Sequence, residues 1–165
     1  MNKISRGNAS QFFVAGELCR RGYAAVVTMG NTPNTDVLVS NLEGTKFAHI
    51  QVKTFKPGNS TCSVGKKAEK YYGENFFWVL VGLPERGQDA ELSFFIIPSS
   101  EMSEKIKTNH KNWLETPGKH GQQHNDNSMR NVFIPPKVNK EGWDISRFAT
   151  KWDLIESVLT TDSDL

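Results

Sequence analysis

The sequence predicts a mixed α/β fold, in which helices pack on a mostly antiparallel central sheet. Two observations support this prediction. Apolar residues at helical spacing occupy the beginning and the end of the chain, and short alternating or continuous apolar runs, typical of strands, lie between them. The predicted order is helix, three strands, helix, two strands, helix, irregular loop and helix. No repeat or second domain is visible, so residues 1–165 are interpreted as a single domain.

The first predicted element is a helix. Asn8, followed three residues later by Gln11, resembles a capping box, and Gly22 stands where a helix C-terminal glycine is expected. Between them apolar residues recur near helical spacing and predict a buried face. The residues of this predicted face are Phe12, Phe13, Ala15, Leu18 and Cys19.

Three strand-like runs follow this helix. Residues 23–28 are short and apolar, whereas residues 36–40 and 47–54 alternate between apolar and polar side chains, as expected of half-buried strands. Between the second and third runs, Glu43 and Gly44 predict a tight two-residue hairpin turn.

The second half of the chain continues the alternation of helices and strands. The predicted elements are a basic helical segment at 63–72, a central strand at 76–81, a further strand at 92–97, a helix from Ser99 or Ser100 to about Trp113, a polar surface loop at 116–130 and a last helix at about 152–159. The strand at 76–81 is a continuous apolar run, which indicates burial on both faces.

Composition excludes several other classes of protein. Hydrophobic residues make up 37% and charged residues 23% of the chain, which is typical of a globular domain and not of a disordered one. No apolar run approaches the roughly 20 residues that span a membrane, and residues 1–8 lack the apolar segment of a secretory signal, so a cytoplasmic protein is expected. The net charge of +2 does not require a nucleic-acid partner, so a basic surface depends on local clustering.

The hairpin register predicts a cluster of three polar residues. With Glu43 and Gly44 as the turn, the residue numbers of paired positions add up to 87, so Asp36 lies directly opposite Gln51. Opposed residues have Cβ atoms about 5 Å apart, and Lys53 lies on the same face about 7 Å further along its strand. A shift of one residue in register would separate the cluster.

An acid, an amide and a lysine on one patch suit the hydrolysis of phosphodiester bonds. Mg²⁺ or Mn²⁺ prefers oxygen ligands, which Asp36, Gln51 and the backbone carbonyl of Val52 can supply. Lys53 would orient a metal-activated water or stabilise charge on the phosphate, and Glu17 on the first helix could add an outer ligand. The same residue types at alternating positions are also the ordinary composition of a solvated sheet face, and spacing alone leaves both interpretations open.

Two other segments carry candidate contacts to nucleic acid. Lys66, Lys67 and Lys70 precede two tyrosines, and this mixture of basic and aromatic residues is typical of nucleic-acid faces, although exposed helix lysines are also common without any partner. Lys119 and Arg130 are candidate phosphate contacts from the polar loop at 116–130.

The histidines of the polar loop region do not form a recognisable metal site. His110, His120, His124 and Asp126 match no zinc spacing, and the strand and helix context of a His-Asn-His nuclease is missing. The tryptophans are interpreted as core or interface residues; they are Trp78, Trp113, Trp143 and Trp152.

In four short runs the sequence resembles the PD-(D/E)xK nuclease superfamily. The runs are residues 16–18, 22–23, 34–39 and 50–54. The resemblance implies a restriction-endonuclease-like core with a central mixed sheet flanked by helices, a divalent metal ion and hydrolysis of DNA. It assigns the metal-binding acid to Asp36, the catalytic lysine to Lys53 and the helix glutamate to Glu17, and it places Gln51 at the second acidic position.

Gln51 is the main departure from the superfamily pattern, because a neutral amide is a poorer Mg²⁺ ligand than a carboxylate. Some members use a Q-x-K version, so the resemblance implies either a metal-dependent endonuclease or an inactive nuclease-fold module that binds nucleic acid or a protein. The proline is displaced as well, since Pro33 precedes Asp36 by three residues. Cutting both strands of a duplex needs two sites, so a homodimer or larger homo-oligomer is expected of an active enzyme.

Most of the chain also resembles a group of small uncharacterised bacterial proteins with this core. The shared features are residues 67–69, 75–77, His110, 113–114, 116–119, 125–127, 129–130 and 152–155.

Overall fold

The computed structural model describes residues 1–29 and 32–160. Its helices and strands, in chain order, are α1 (Lys3–Arg20), β1 (Ala24–Val27), β2 (Val37–Ser40), β3 (Phe47–Phe55), β4 (Thr61–Ser63), β5 (Phe76–Gly82), β6 (Ser93–Pro98), α2 (Ser99–Glu115), β7 (Asn131–Phe133) and α3 (Asp153–Leu159). Two short 3-10 helices, Lys66–Glu69 and Ser146–Phe148, lie between them. Among the described residues no helix is both long and apolar enough to cross a membrane.

The five-stranded sheet confirms the predicted mixed α/β fold. Its strand order is β1-β2-β3-β5-β6, with β3 and β5 parallel and the other three pairs antiparallel. β4 lies between β3 and β5 in the chain, and β7 follows α2. These two strands form a separate two-stranded antiparallel sheet. Because one central pair is parallel, the chain must cross over between β3 and β5, and the crossover residues lie against one face of the sheet.

Two apolar cores cover the two faces of the central sheet. On one face α1 and α3 pack on β2, β3 and β5 through residues such as Leu18, Ile50 and Trp152. On the other face α2 and the β4–β7 sheet pack on β3, β5 and β6 through residues such as Met102 and Leu80. No described residue of β1 or β2 belongs to this second core, so one end of the second face stays open to solvent.

The first helix begins earlier than its sequence predicts. The side chain of Asn2 caps it by accepting a hydrogen bond from the Ser5 backbone N–H at 2.8 Å, so the predicted cap Asn8 lies inside α1. Its predicted end is confirmed, since Gly22 has a φ of 94° and the Tyr23 N–H donates to the Leu18 carbonyl at 3.2 Å, as in a Schellman motif.

The predicted buried face of the first helix is wrong in part. Ala15 and Leu18 are buried as expected, but Phe12 is 65% exposed, Phe13 is 48% exposed and Cys19 is also exposed. The buried face is determined by packing against the sheet and not by the earlier start of the helix. The residues that meet the sheet are four apart in the chain: Ser10, Val14 and Leu18. Because the first of these residues is the polar Ser10, the apolar pattern of the sequence did not reveal this face.

The hairpin register is confirmed, although its predicted turn is wrong. Val37 pairs with Ile50 and Ser40 with Phe47, which is the predicted alignment. The connection is a six-residue loop at 41–46, not a two-residue turn at Glu43 and Gly44. The Asn41 side chain closes this loop by accepting hydrogen bonds from the backbone N–H groups at 45 and 46. A loop with two extra residues on each side of the same centre preserves the register.

The predicted helix at residues 63–72 is also wrong, because only Lys66–Glu69 form a short 3-10 turn. Thr61–Ser63 instead pair with Asn131–Phe133 of β7, and the Val64 N–H donates to the Arg130 carbonyl at 2.8 Å. The backbone groups that a helix would have used internally are bonded to a neighbouring strand. The predicted strands near 76–81 and 92–97 and the helix after Ser99 are confirmed.

Candidate active site

Asp36 lies immediately before β2 and is fixed by the register of the β2–β3 pair. Its backbone N–H donates to the Ile50 carbonyl at 2.8 Å. Its Oδ2 atom accepts hydrogen bonds from the Val52 backbone N–H, at 2.7 Å, and from Nε2 of Gln51. Oδ1 accepts none from the described residues. The carboxylate is thus held by one oxygen, and the other is available to a ligand.

The side chains of Asp36, Gln51 and Lys53 line one cleft of about 640 Å³ on the open end of the second sheet face. Lys67, from the 3-10 helix of the crossover, lines the wall of this cleft as well. We call this cavity the Asp36 cleft. The structure therefore brings together the three residues that the register predicts, and it adds a second lysine.

The pKa of the Asp36 carboxyl is raised above its ordinary value, chiefly because burial disfavours the charged form. The Val52 N–H, the charge of Lys53, the Gln51 amide and the charge of Lys67 oppose this shift without cancelling it. A positive ligand beside Asp36 would favour ionisation, so the site has an electrostatic preference for a cation.

Two buried polar atoms in the Asp36 cleft have no hydrogen-bond partner in the described part of the chain. They are Oδ1 of Asn34, an acceptor, and Nε1 of Trp78, a donor. Mg²⁺ usually keeps several of its waters, and a metal-bound water donates hydrogen bonds. The free oxygen of Asp36 and the unpaired acceptor of Asn34 fit a hydrated divalent cation, with Asp36, the amide oxygen of Gln51 and the Val52 carbonyl as the oxygen ligands.

Asn34 and Trp78 were not singled out for the site by sequence reasoning. Trp78 is opposite Gln51 in the parallel β3–β5 pair, so the two side chains share one face. The strand was predicted, but its neighbour in the sheet was not. Asn34 has a positive φ of 62°, a conformation that asparagine tolerates better than most residues, and its position two residues before Asp36 was the available signal.

Glu17 lies outside the Asp36 cleft and is held by arginines. Its two carboxylate oxygens accept hydrogen bonds from Arg20, at 2.8 and 2.9 Å, and from Arg21, at 2.8 Å. The hydrogen bond from Arg20 is the largest influence in lowering the pKa of Glu17 to about 2. Arg21 also binds Glu156 of α3 at 3.0 Å. In this structure Glu17 serves the contact between two helices.

The predicted nucleic-acid contacts are distributed over different environments. Lys67 lines the Asp36 cleft, Lys66 is 3.6 Å from Asp126, and Lys70 lies 5.1 Å from the centre of the Tyr72 ring. Lys119 is exposed in the irregular segment after α2.

Arg130 is placed differently from an exposed phosphate contact. The residue is only 4% exposed, and its guanidinium binds Glu69 at 2.5 Å and Asp126 at 3.3 Å. It therefore ties the loop before β7 to the 3-10 helix that carries Lys67.

The histidines near this loop make local structural contacts. His110 binds Asp126 at 2.8 Å, and the His124 ring stacks on Trp113 with ring centres 4.1 Å apart. His120 is exposed. Within residues 1–29 and 32–160 there is no group of three or more His, Cys, Asp or Glu side chains that could hold a metal ion. The candidate centre at Asp36 depends on amide and carbonyl oxygens instead.

Comparisons with known proteins found similarity in structure but not in sequence. No family model matches the sequence, and no curated protein sequence matches it. The bacterial homing endonuclease I-Ssp6803I superposes with a TM-score of 0.56 at 11% identity, over 95% of this chain and 94% of that one. The Holliday junction resolvase Hjc of Archaeoglobus fulgidus gives a TM-score of 0.43 at 15% identity, over 77% and 83%. With the five-stranded mixed sheet, the first likeness shows that the chain has a restriction-endonuclease-like nuclease fold.

Proposed function

We propose that the protein is a metal-dependent endonuclease that hydrolyses phosphodiester bonds of DNA, with a Q-x-K version of the nuclease motif. The observation that carries the proposal is the convergence of Asp36, Gln51 and Lys53 on one cleft of a nuclease fold. The homing endonuclease with the same fold supports DNA as the partner.

Each residue of the centre has a distinct role in the proposed reaction. Asp36, Gln51 and the Val52 carbonyl would hold Mg²⁺ or Mn²⁺, which lowers the pKa of a bound water and polarises the phosphate. Lys53 lies two residues from Gln51 on the same face of β3 and stabilises negative charge that develops on the phosphate. Lys67 lines the same cleft and adds a second positive charge.

The proposal extends to the assembly that would cut duplex DNA. One such centre cleaves one strand, so cleavage of both strands uses two centres related by symmetry. We therefore include a homodimer or larger homo-oligomer in the proposal.

The alternative is a catalytically inactive module of the same fold that binds nucleic acid or a protein partner. The hydrogen bond from Gln51 to Asp36 favours this alternative, because it occupies one carboxylate oxygen without any metal ion. Gln51 also leaves the centre with one negative charge where a carboxylate pair would supply two.

Cleavage assays with matched variants test the proposal. Wild-type protein is incubated with duplex DNA, single-stranded DNA and RNA in Mg²⁺ or Mn²⁺, beside Asp36→Asn and Lys53→Met. Asn keeps an oxygen for the Val52 N–H, and Met keeps most of the lysine volume, so both variants should fold. We expect DNA cleavage by the wild type and a loss of about 100-fold or more in each variant. Lys107→Met on the exposed face of α2 is the control and should cleave normally.

The same experiment separates the two candidate functions. If the wild type leaves all three substrates intact with both ions, the enzyme proposal is wrong. Salt-dependent DNA binding that neither ion alters would then support the inactive module. Calorimetric titration with Mn²⁺ gives an independent readout, since the proposal requires binding that Asp36→Asn abolishes.

A further inference from the structure

A second cleft continues from the Asp36 cleft towards the N-terminal end of α1. The two clefts share Lys53, Val64 and Gly65 in their walls. The second has a volume of about 530 Å³ and lies between the end of β3, the residues that follow β4 and the first turn of α1. A ligand in the Asp36 cleft can thus extend into the second cleft without leaving the protein surface.

The second cleft has a strongly positive lining. Lys3 and Arg6 reach it from α1, and Lys53 and Lys56 reach it from β3 and the residue after that strand. Within the described chain no acidic side chain lines this cleft. Four cations from two distant parts of the sequence therefore face one cavity, although the chain as a whole has a net charge of only +2.

One acid contacts two of these cations. Glu85 binds the Arg6 guanidinium, and it lies 3.1 Å from Nζ of Lys56. The hydrogen bond from Lys56 is the main cause that lowers the pKa of Glu85, so the carboxylate is charged at neutral pH. Glu85 thus holds the side chains of Arg6 and Lys56 close to each other.

The guanidinium of Arg6 has an unused donor. Its Nε atom is buried and has no acceptor in the described chain, and the side chain is only 13% exposed. Four buried side-chain polar atoms lack partners in residues 1–29 and 32–160, and three of them, on Arg6, Asn34 and Trp78, belong to residues that line the two joined clefts. Unpaired buried polar groups are rare in folded proteins, so their concentration here indicates a surface shaped for a polar ligand.

We propose that the second cleft binds the phosphodiester backbone that flanks the bond at Asp36, with Lys3, Arg6 and Lys56 neutralising successive phosphates. Lys53 and Lys56 are three residues apart, or about 10 Å along an extended chain. That span corresponds to about three nucleotide steps of one strand, at roughly 3.4 Å per step along the duplex axis. The inference rests on the proposed function, because Asp36 marks where the strand enters.

The chemistry of the lining also predicts how the backbone is read. Lysine and arginine bind phosphate oxygens, and no aromatic side chain in the described chain lines the second cleft. Contacts of this kind fix the position of a strand but carry no base information. Binding through this cleft is therefore independent of sequence.

The test is DNA binding without cleavage. Fluorescence anisotropy is measured with labelled duplexes of two unrelated sequences in EDTA, over a range of salt concentrations. Lys3→Ala and Lys56→Ala should each weaken binding about fivefold and reduce the slope of log affinity against log salt by about 0.9, equally for both sequences. Lys107→Ala on the exposed face of α2 is the matched control and should bind as the wild type does.

A variant that is expected to strengthen DNA binding separates an effect on binding from simple damage to the fold. Glu85→Gln removes the carboxylate that competes with phosphates for Arg6 and Lys56, so it should strengthen binding several-fold. A misfolded variant would not gain affinity.

The outcomes distinguish this inference from the proposed function. The inference is overturned if the two lysine variants bind like the wild type, if Glu85→Gln fails to strengthen binding, or if the wild type binds neither duplex at low salt. If the wild type binds neither duplex, an acidic protein partner becomes the better candidate, because the same cations would bind carboxylates. If the variants behave as expected but no ion supports cleavage, the strand path is supported while the enzyme proposal fails.

Discussion

At the scale of single residues, Gln51 controls the charge of the candidate centre. Its amide donates to Asp36 and so replaces repulsion between two carboxylates with a hydrogen bond. The protein without metal gains from this arrangement, because like charges directly opposite each other on paired strands are destabilising. The cation, by contrast, finds one fewer negative ligand.

Gln51→Glu should therefore shift the centre towards metal binding. We expect Mn²⁺ affinity to rise about tenfold and the free energy of unfolding without metal to fall by about 1 kcal/mol. Calorimetric titration measures the first effect and urea denaturation in EDTA the second. Gln51→Ala is the control and should bind Mn²⁺ more weakly than the wild type. Equal or weaker affinity in Gln51→Glu would show that this position does not face the ion.

Asp36 gives the centre a dependence on pH. Burial raises the pKa of its carboxyl, so protons compete with a cation at higher pH than they would at an exposed aspartate. Mn²⁺ affinity should rise as pH increases through this raised pKa, with release of a proton on binding, and it should level off above it. Titrations in a pH series with two buffers of different ionisation enthalpy measure both. Affinity that stays constant down to the ordinary aspartate range would contradict the prediction.

At the scale of the elements, two glycines of the first helix have opposite roles. Gly16 lies within α1, where an added Cβ would meet nothing within 4 Å, whereas Gly22 has a φ of 94° beyond the helix end. Gly16→Ala should increase the free energy of unfolding by about 0.5 to 1 kcal/mol, because alanine favours helix. Gly22→Ala should decrease it by about 1 kcal/mol, because the backbone is left-handed there.

Chemical denaturation of the two glycine variants tests this assignment. Each serves as the control for the other, since both changes add the same methyl group. If Gly16→Ala destabilises the protein as much as Gly22→Ala does, the exposed face of α1 has a contact that the structure does not contain.

The elements predicted correctly from the sequence are those with local signals. Residues 76–81 form a continuous apolar run, and Gly22 ends α1 through its own conformational freedom. The pairing of β4 with β7 was missed because it joins Cys62 to Val132, which are far apart in the chain, and three-residue strands leave almost no pattern. The same pairing explains why the segment after Ser63 is not the predicted helix.

The candidate centre was predictable only as far as the hairpin determines it. The period of two and the hairpin register predict Asp36 opposite Gln51; the register is confirmed for Val37 to Ser40, and Asp36, just before the strand, meets Gln51 through its side chain. The roles of Lys67 and Trp78 depend on the parallel β3–β5 pair and on how the crossover packs, which no local pattern specifies. The direction of Glu17 depends on helix packing for the same reason, and the catalytic role of the centre stays a prediction.

At the scale of the whole molecule, one charge network joins the two helices that share a face of the sheet. Glu17 on α1 binds Arg21, which binds Glu156 on α3 and lies 5.6 Å from the centre of the Trp152 ring. This network therefore connects residues near both ends of the described chain on the same face of the sheet. Networks of this kind contribute more than an isolated surface pair because several charges share one geometry.

Glu17→Gln tests whether this residue belongs to the network or to the metal centre. Its pKa is lowered from 4.5 to about 2, so its stabilising effect is fully present above about pH 4.5 and is lost as pH falls through about 2. We expect Glu17→Gln to reduce the free energy of unfolding by about 1 kcal/mol at pH 7, with the difference disappearing as pH falls through about 2.

Urea denaturation at several pH values measures the Glu17 effect, with Glu43→Gln in the exposed loop at 41–46 as the control. Mn²⁺ affinity at pH 7 should not change in Glu17→Gln, because Arg20 and Arg21 occupy both carboxylate oxygens. A loss of Mn²⁺ affinity without a loss of stability would instead place Glu17 at the centre, as in nucleases whose first-helix glutamate joins the metal ligands. Such a result would require α1 to reorient when the ion binds, since the arginines would first have to release the carboxylate.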